Sequence, residues 1–273
     1  MAAFLARREH VARVASTNDV VRGWLAGGTA EVALAVADEQ TAGRGRDGRT
    51  WTAPPGSALL LSLGFRPTWL EPERVWRLAA TVSLAMAEAA EAATGLAPAS
   101  IRLKWPNDLV VEDDVGIRKL AGVLGESDGL GTDDPRAVIG IGVNGAWPAS
   151  AFPSELSATM TSLQAIAADR HVDHEIVLEA FLERLEAGVD ALRHGRFGRD
   201  AWAARQVTTD RDIDLIDPAG AGTTVRAVGV DPDTGALEVH DPTAAHGRRS
   251  IVVGEIRHVR LAARSRDAAP AVM

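Results

Sequence analysis

Two apolar runs, 31–39 (EVALAVADE) and 57–65 (SALLLSLGF), read as buried strands. The stretch that joins them, 38–52 (DEQTAGRGRDGRTWT), has the opposite character. Its Gly43, Gly45 and Gly48 leave the backbone free to take positive φ and to approach a ligand closely. Its Arg44, Arg46 and Arg49 bring planar, permanently charged forks matched to phosphate and carboxylate. Ordering so polar a segment between two core strands costs conformational entropy. On these residues alone two readings stand: a loop ordered by an anionic ligand, or a solvated surface loop whose arginines serve solubility.

The rest of the chain alternates helical and strand periods. Residues 10–15 (HVARVA) fit a strand. A helix follows, with Ser16 and Asp19 as a capping box, Val20, Val21, Trp24 and Leu25 as its apolar face, and Gly27-Gly28 as its stop. Pro72 suits the first position of a helix that runs to about Ala93. Residues 101–114 hold a strand, a turn forced by Pro106 and a second strand; 118–127 and 136–144 are further strands. Asp173 caps a second long helix over 174–193, and 198–206 add a short one. From Val207 onward, short strands are separated by Gly- and Pro-rich turns, as in a small β-barrel or sandwich. The fold expected is α+β: a central mixed β-sheet flanked by helices over 1–205, a small β-domain over 206–262, and a disordered tail over 263–273.

Charge and cysteine content narrow the chemistry. The net charge of −8 does not suit a general nucleic-acid binder, so the loop arginines stand out against an acidic background. With no cysteine, the chain has neither disulfides nor thiolate chemistry. No apolar run approaches the roughly 18 residues of a membrane span, and the first ten residues lack a signal peptide's apolar core. The location expected is cytoplasmic.

Three more stretches carry polar groups among apolar strands. In 104–108, Lys104, Asn107 and Asp108 surround Trp105-Pro106; they serve a ligand, or they satisfy their own hairpin turn. Lys119 opens an apolar strand beside Ala121 and Gly122, either as a snorkelling edge lysine or as a partner for a carboxylate or acyl phosphate. Gly140 and Gly142 alternate on one face of 140–144 (GIGVN), which implies that something packs closely there.

Together these stretches resemble the biotin–protein ligases. The resemblance rests on Ser16-Thr17-Asn18, Gln40 with GRGRDGRTW (43–51), KWPNDL (104–109), KLAG (119–122) and GIGVN (140–144), in the family's order and at similar spacing. GRGR alone is weak; the combination is specific. The resemblance implies a catalytic domain like that of class II aminoacyl-tRNA synthetases and an SH3-like C-terminal barrel, to which Asp231–Leu237 and Gly254-Glu255-Ile256 would belong. It implies that biotin is activated by ATP, with Mg2+, to biotinyl-5′-AMP, and that the acyl group passes to a lysine of a biotin carboxyl carrier domain. Carried over residue by residue, Ser16, Thr17, Asn18, Gln40, Gly43, Arg44, Gly45, Arg46, Lys119 and Gly122 would hold biotin. Arg44, Arg46, Arg49, Trp51, Lys104, Asn107, Asp108, Gly142 and Asn144 would face ATP or the adenylate. Arg46, Lys104, Asp108 and Lys119 would be catalytic, and magnesium would be held through the phosphates, with Asp108 as the protein carboxylate able to join.

The departures also shape expectations. Only 15 residues precede Ser16, too few for the helix-turn-helix of repressor members, so a ligase without DNA binding is expected, as a monomer or weak homodimer. The segment 110–118 looks long and implies an extended hairpin. Asp47 interrupts the arginine cluster without a functional account. His171 and His174 could be taken for a metal pair but sit at a helix start; His240 and His246 read as solvent-facing. The rival readings are a lipoate or octanoate ligase, whose arginine and triple-glycine stretch is missing, and an inactive homologue that only binds biotin.

Overall fold

The apolar runs assemble into one sheet. The computed structural model describes residues 4–114, 116–167, 170–244, 246–252 and 258–261. Seven strands, β1 (Arg7–Val14), β2 (Ala33–Gln40), β3 (Ala58–Phe65), β4 (Ile101–Lys104), β5 (Asp108–Asp113), β6 (Gly116–Asp128) and β7 (Arg136–Asn144), pair in the order β1-β2-β3-β7-β6-β5-β4. Only β1 and β2 run parallel; the remaining neighbours are antiparallel. Central β3 is buried at all eight positions, so both faces of the sheet are covered there. Helix α1 (Thr17–Ala26) covers one face, where a Cβ on Gly64 would lie 2.6 Å from Val21. The opposite face is left to α2 (Trp76–Thr94) and α4 (His174–Arg193), which pack on each other, and the short α3 (Leu163–Ile166) and α5 (Arg199–Ala204) complete the layer.

A buried ion pair ties this layer to the edge of the sheet. Arg205, just past α5, meets Glu91 of α2 through two contacts of 2.6 and 3.0 Å and donates to the Ile101 carbonyl at 2.8 Å. Glu91 also accepts from the Ile101 amide at 2.9 Å. Both partners have their remaining polar atoms engaged, which a buried ion pair requires.

The chain divides into two compact units, Met1–Val207 and Thr208–Met273. In the second, β8 (Arg211–Ile216), β9 (Gly222–Val230), β10 (Leu237–His240), β11 (Arg248–Ile251) and β12 (His258–Leu261) form an antiparallel sheet ordered β11-β10-β9-β8-β12. Ile213, Leu215, Leu237, Val239 and Ile251 are its core. Among the described residues the five strands form one antiparallel sheet and no pairing joins β11 to β12. Gly254-Glu255-Ile256 and the tail expected over 263–273 lie outside the described residues.

Two local expectations need correction. Ser16 stands at the N-cap of α1 with extended backbone geometry, but its side chain makes no capping hydrogen bond, and Asp19 pairs with Arg22 and Arg44 instead of completing a capping box. Pro72 opens a 3-10 turn, Pro72–Arg74, and α2 begins only at Trp76. The extended hairpin expected after Asp108 is present, with β5 and β6 paired from Asp108 and Gly122 to Asp113 and Gly116.

Candidate functional site

The glycine- and arginine-rich loop supplies its own order. Gly45 N–H donates to the Arg49 carbonyl at 2.7 Å and Trp51 N–H to the Gly43 carbonyl at 2.9 Å, so that Arg44 pairs across from Thr50 in a small hairpin. Gly43 and Gly45 do not take positive φ; Gly43 is required because a Cβ there would meet the Trp51 carbonyl at 2.5 Å. The left-handed positions are Asp47 (φ 56°) and Gly48 (φ 71°). Aspartate tolerates this region better than most side chains, which accounts for an acidic residue amid the arginines. Its carboxylate lies 3.4 Å from Arg49.

Trp51 leaves the hairpin and lies on the glycine-bared face of the sheet. A Cβ on Gly142 would fall 2.6 Å from the indole, and one on Gly122 would fall 3.2 Å from both the indole and Lys119 Nζ. The close packing anticipated over Gly140 and Gly142 is therefore by Asn18 and Trp51, respectively. The indole Nε1 is buried and makes no hydrogen bond among the described residues. We expect Gly142→Ala to displace this ring and destabilise the protein by about 1–3 kcal/mol, the usual overpacking range, read by thermal melting. An unchanged melting temperature together with unchanged tryptophan fluorescence would show that the ring can yield.

Around this face lies a pocket lined by Ser16, Thr17, Asn18, Gln40, Arg44 and Trp51, floored by Gly122, Gly140 and Gly142. Ser16, Thr17 and Asn18 are all buried. Gln40 Oε1 accepts from the Thr17 amide at 2.8 Å and from its hydroxyl at 3.0 Å. Asn18 Nδ2 donates to Glu126 at 2.6 Å. Ser62 Oγ lies 2.7 Å from Thr17 Oγ1 and 2.5 Å from Asn18 Oδ1.

The basic residues differ in how far they are neutralised. Arg44 makes a bidentate pair with Asp19, both contacts 2.8 Å, and reaches Glu126 at 3.4 Å; Arg22 meets the same two carboxylates. The Asp19 hydrogen bonds raise the Arg44 pKa and lower that of Asp19. Lys119 Nζ lies 2.6 Å from Asp108 Oδ1 and 5.4 Å from the Trp51 ring centroid. Arg46 has no ion-pair partner among the described residues, and burial pushes its pKa down while Asp47 and Asp108 oppose that shift. A desolvated cation without a carboxylate partner is the group an incoming anion relieves.

Lys119 reaches this face through a bulge. Leu109 pairs with Ala121 but Val110 with Lys119, so β6 carries one extra residue there. Strict alternation would set Lys119 on the face opposite Gly122. The extra residue, Leu120, turns it to the face shared by Gly122 and Asp108, while Ala121 points away. Lys104 stands directly across from Asp108 in the β4–β5 pairing, and the half-buried Asn107 fastens the intervening turn by donating to the Val123 carbonyl at 2.8 Å.

Asn144, an expected site residue, and His174, which could be taken for a metal ligand, both have structural partners. Asn144 is buried and donates to the Thr161 carbonyl at 2.8 Å, splicing residues 159–161 alongside Lys119. His174 accepts from the Ala146 amide at 2.9 Å, and burial lowers its pKa against the opposing effect of Asp173 and Asp38; Asp173 caps α4 through Glu175 N at 2.8 Å. No group of three or more His, Asp or Glu side chains able to hold a metal occurs among the described residues. His240 and His246 are exposed. Sequence reasoning did not place Asp19, Ser62 and Glu126 at the site; the lone hydroxyl of Ser62 in an otherwise apolar strand was the available signal.

Residues 10–144 match the biotin/lipoate A/B protein ligase family. The biotin–[acetyl-CoA-carboxylase] ligase of Mycobacterium tuberculosis is 30% identical over 255 residues, covering 92% of this chain and 88% of that protein. The enzyme of the same name from Paracoccus denitrificans is 33% identical over 257 residues, covering 90% and 98%. The fold resembles a biotin protein ligase from Aquifex aeolicus solved with biotin and ATP, with a TM-score of 0.75, 24% identity, and coverage of 94% and 99%.

Proposed function

The chain belongs to the biotin–protein ligase family, and from that premise we propose that it is an ATP-dependent ligase that activates biotin as biotinyl-5′-AMP and transfers it to a lysine of a biotin carboxyl carrier domain. The observation that carries this reading is a neutral polar pocket that adjoins, past Trp51 and Gly122, a cluster of cations around Asp108. Thr17 and Gln40 offer an acceptor and a donor suited to a ring urea. Lys119, Lys104 and Arg46 gather near Asp108, where a carboxylate and a phosphate would meet. Octanoate and lipoate lack the urea, so the polar end favours biotin over the lipoate-ligase reading.

In the first step a biotin carboxylate oxygen attacks the α-phosphorus of ATP and pyrophosphate leaves. Charge gathers on the α-phosphoryl oxygens, and fixed cations stabilise it. Arg46 and Lys119 are the groups assigned to that task, with Arg49 and Lys104 towards the phosphates. In the second step the carrier lysine amine attacks the acyl carbon and AMP leaves with the bonding pair. Asp108 is engaged by Lys119 at 2.6 Å through Oδ1 only, so its second oxygen can still join magnesium held by the nucleotide phosphates.

The acidic net charge of −8 supports a carrier-protein partner over DNA. No helix among the described residues is long and apolar enough to cross a membrane, and the lack of cysteine is in keeping with a cytoplasmic enzyme. The deciding measurement is biotin-dependent ATP–pyrophosphate exchange, with lipoate and octanoate as competitors. We expect exchange with biotin only. Exchange with lipoate instead would transfer the assignment to the rival class, and none with biotin would end it.

A further inference from the structure

We infer that Ser62 is a positioning residue for the ligand-reading wall of this pocket: it fixes which polar atoms Thr17 and Asn18 turn towards the ligand. The inference rests on the proposal that the pocket reads the ring urea of biotin.

Hydrogen-bond logic carries the argument, starting from Glu126. Its carboxylate lies 2.8 Å from Arg22 and 3.4 Å from Arg44, so it is ionised and only accepts. The Asn18 atom 2.6 Å from it is therefore the amide nitrogen, and the Asn18 oxygen faces Ser62 at 2.5 Å. That oxygen cannot donate, so the single Ser62 proton is committed to it. Each end of Asn18 then has a fixed partner within the protein, which sets the orientation of its amide in the pocket wall.

Thr17 is constrained from the same side. Its backbone N–H lies 2.8 Å from Gln40, which identifies the atom facing it as Oε1, an acceptor. Its hydroxyl has two neighbours inside the protein, Gln40 Oε1 at 3.0 Å and Ser62 Oγ at 2.7 Å. With the Ser62 proton given to Asn18, both neighbours offer acceptors to the single Thr17 proton. The Thr17 proton is drawn inward and a lone pair is left for the pocket. Gln40, with its oxygen occupied, presents Nε2. Acceptor beside donor is the complement of a ring N–H beside a carbonyl.

The surrounding backbone is arranged for this relay. Ser62 is fully buried in β3, in direct register with Gly140 of β7. A Cβ on Gly140 would lie 2.2 Å from Asn18 Oδ1, so the glycine makes the room in which the Asn18 amide meets Ser62.

Ser62→Ala removes the only donor to Asn18 Oδ1 among the described residues and one of the two acceptors that face the Thr17 hydroxyl. In biotin-dependent pyrophosphate exchange we expect the KM for biotin to rise about tenfold, with kcat and the KM for ATP within about twofold of wild type. Ser62→Cys, similar in size with a weaker donor, should fall between the two. A general loss of structure would instead move kcat and both KM values together. Unchanged biotin KM in a folded Ser62→Ala protein would overturn the inference. Should wild type show no biotin-dependent exchange, the ligase reading fails first, and the relay is judged without ligand from the side-chain NH2 signal of Asn18 by NMR. Slow hydrogen exchange that accelerates in Ser62→Ala, and in Ser62→Cys should the alanine variant not fold, supports the relay. Exchange that is the same with and without the hydroxyl overturns it.

Discussion

Lys119→Ala is expected to lower kcat/KM for biotin about a hundredfold, in the range for loss of one preorganised charge-stabilising group. The lysine lies 2.6 Å from Asp108, whose side chain is only 14% exposed. Removing the ammonium deletes a cation from the position where the biotin carboxylate would develop its bond to phosphorus. It also leaves the Asp108 carboxylate without its 2.6 Å partner beside that position, so its negative charge weighs more heavily against an incoming anion. These two effects separate in a double-mutant cycle. Adding Asp108→Asn to Lys119→Ala should restore part of the biotin affinity measured by calorimetry, because the repulsion is removed while the missing cation is not. Full biotin affinity in Lys119→Ala would take the residue out of the site.

Arg205→Ala should be the most destabilising of the substitutions considered, by about 3–5 kcal/mol. The change leaves Glu91 ionised and nearly inaccessible, with side-chain exposures of 8% for Arg205 and 6% for Glu91. It also removes the donor to the Ile101 carbonyl. The fall in melting temperature expected for a unit of this size is roughly 10 °C. Replacing both partners, as Glu91→Leu with Arg205→Met, should recover most of the loss, since no buried charge is then left alone. Because the Arg205 carbonyl accepts from the amide of Leu103 and from the side chain of Arg102, the pair anchors the strand that leads to Lys104 and the turn before Asp108. A protein with Arg205→Ala that melts like wild type would mean that water replaces the lost partner.

Much of the fold was legible from periodicity. The strand at 136–144 and the helix at 174–193 with its Asp173 cap match the observed Arg136–Asn144 and His174–Arg193 end to end. Both are long, strongly patterned segments with clear stop signals. Helix α1 starts after Ser16 as expected, but the capping box does not form, because the Asp19 carboxylate pairs with Arg22 and Arg44.

For the site, the sequence alone identified the residue types and the family: Ser16-Thr17-Asn18, the arginine hairpin, Lys104 to Asp108, Lys119 to Gly122 and the two glycines of β7. Those signals are local, because a glycine pair, a capping position or an Asn-Asp turn is written within a few residues. Only the tertiary structure decided which charges remain available. Arg44 is neutralised by Asp19 and Glu126, from α1 and β6, while the half-buried Arg46 has no ion-pair partner among the described residues. Only register decided that Lys119 shares a face with Asp108, through one extra residue that no period-two reading contains. Pairing across a sheet brings together residues far apart in the chain, and a one-residue slip reverses every side chain beyond it. That is why the chemistry could be read along the sequence while its geometry could not.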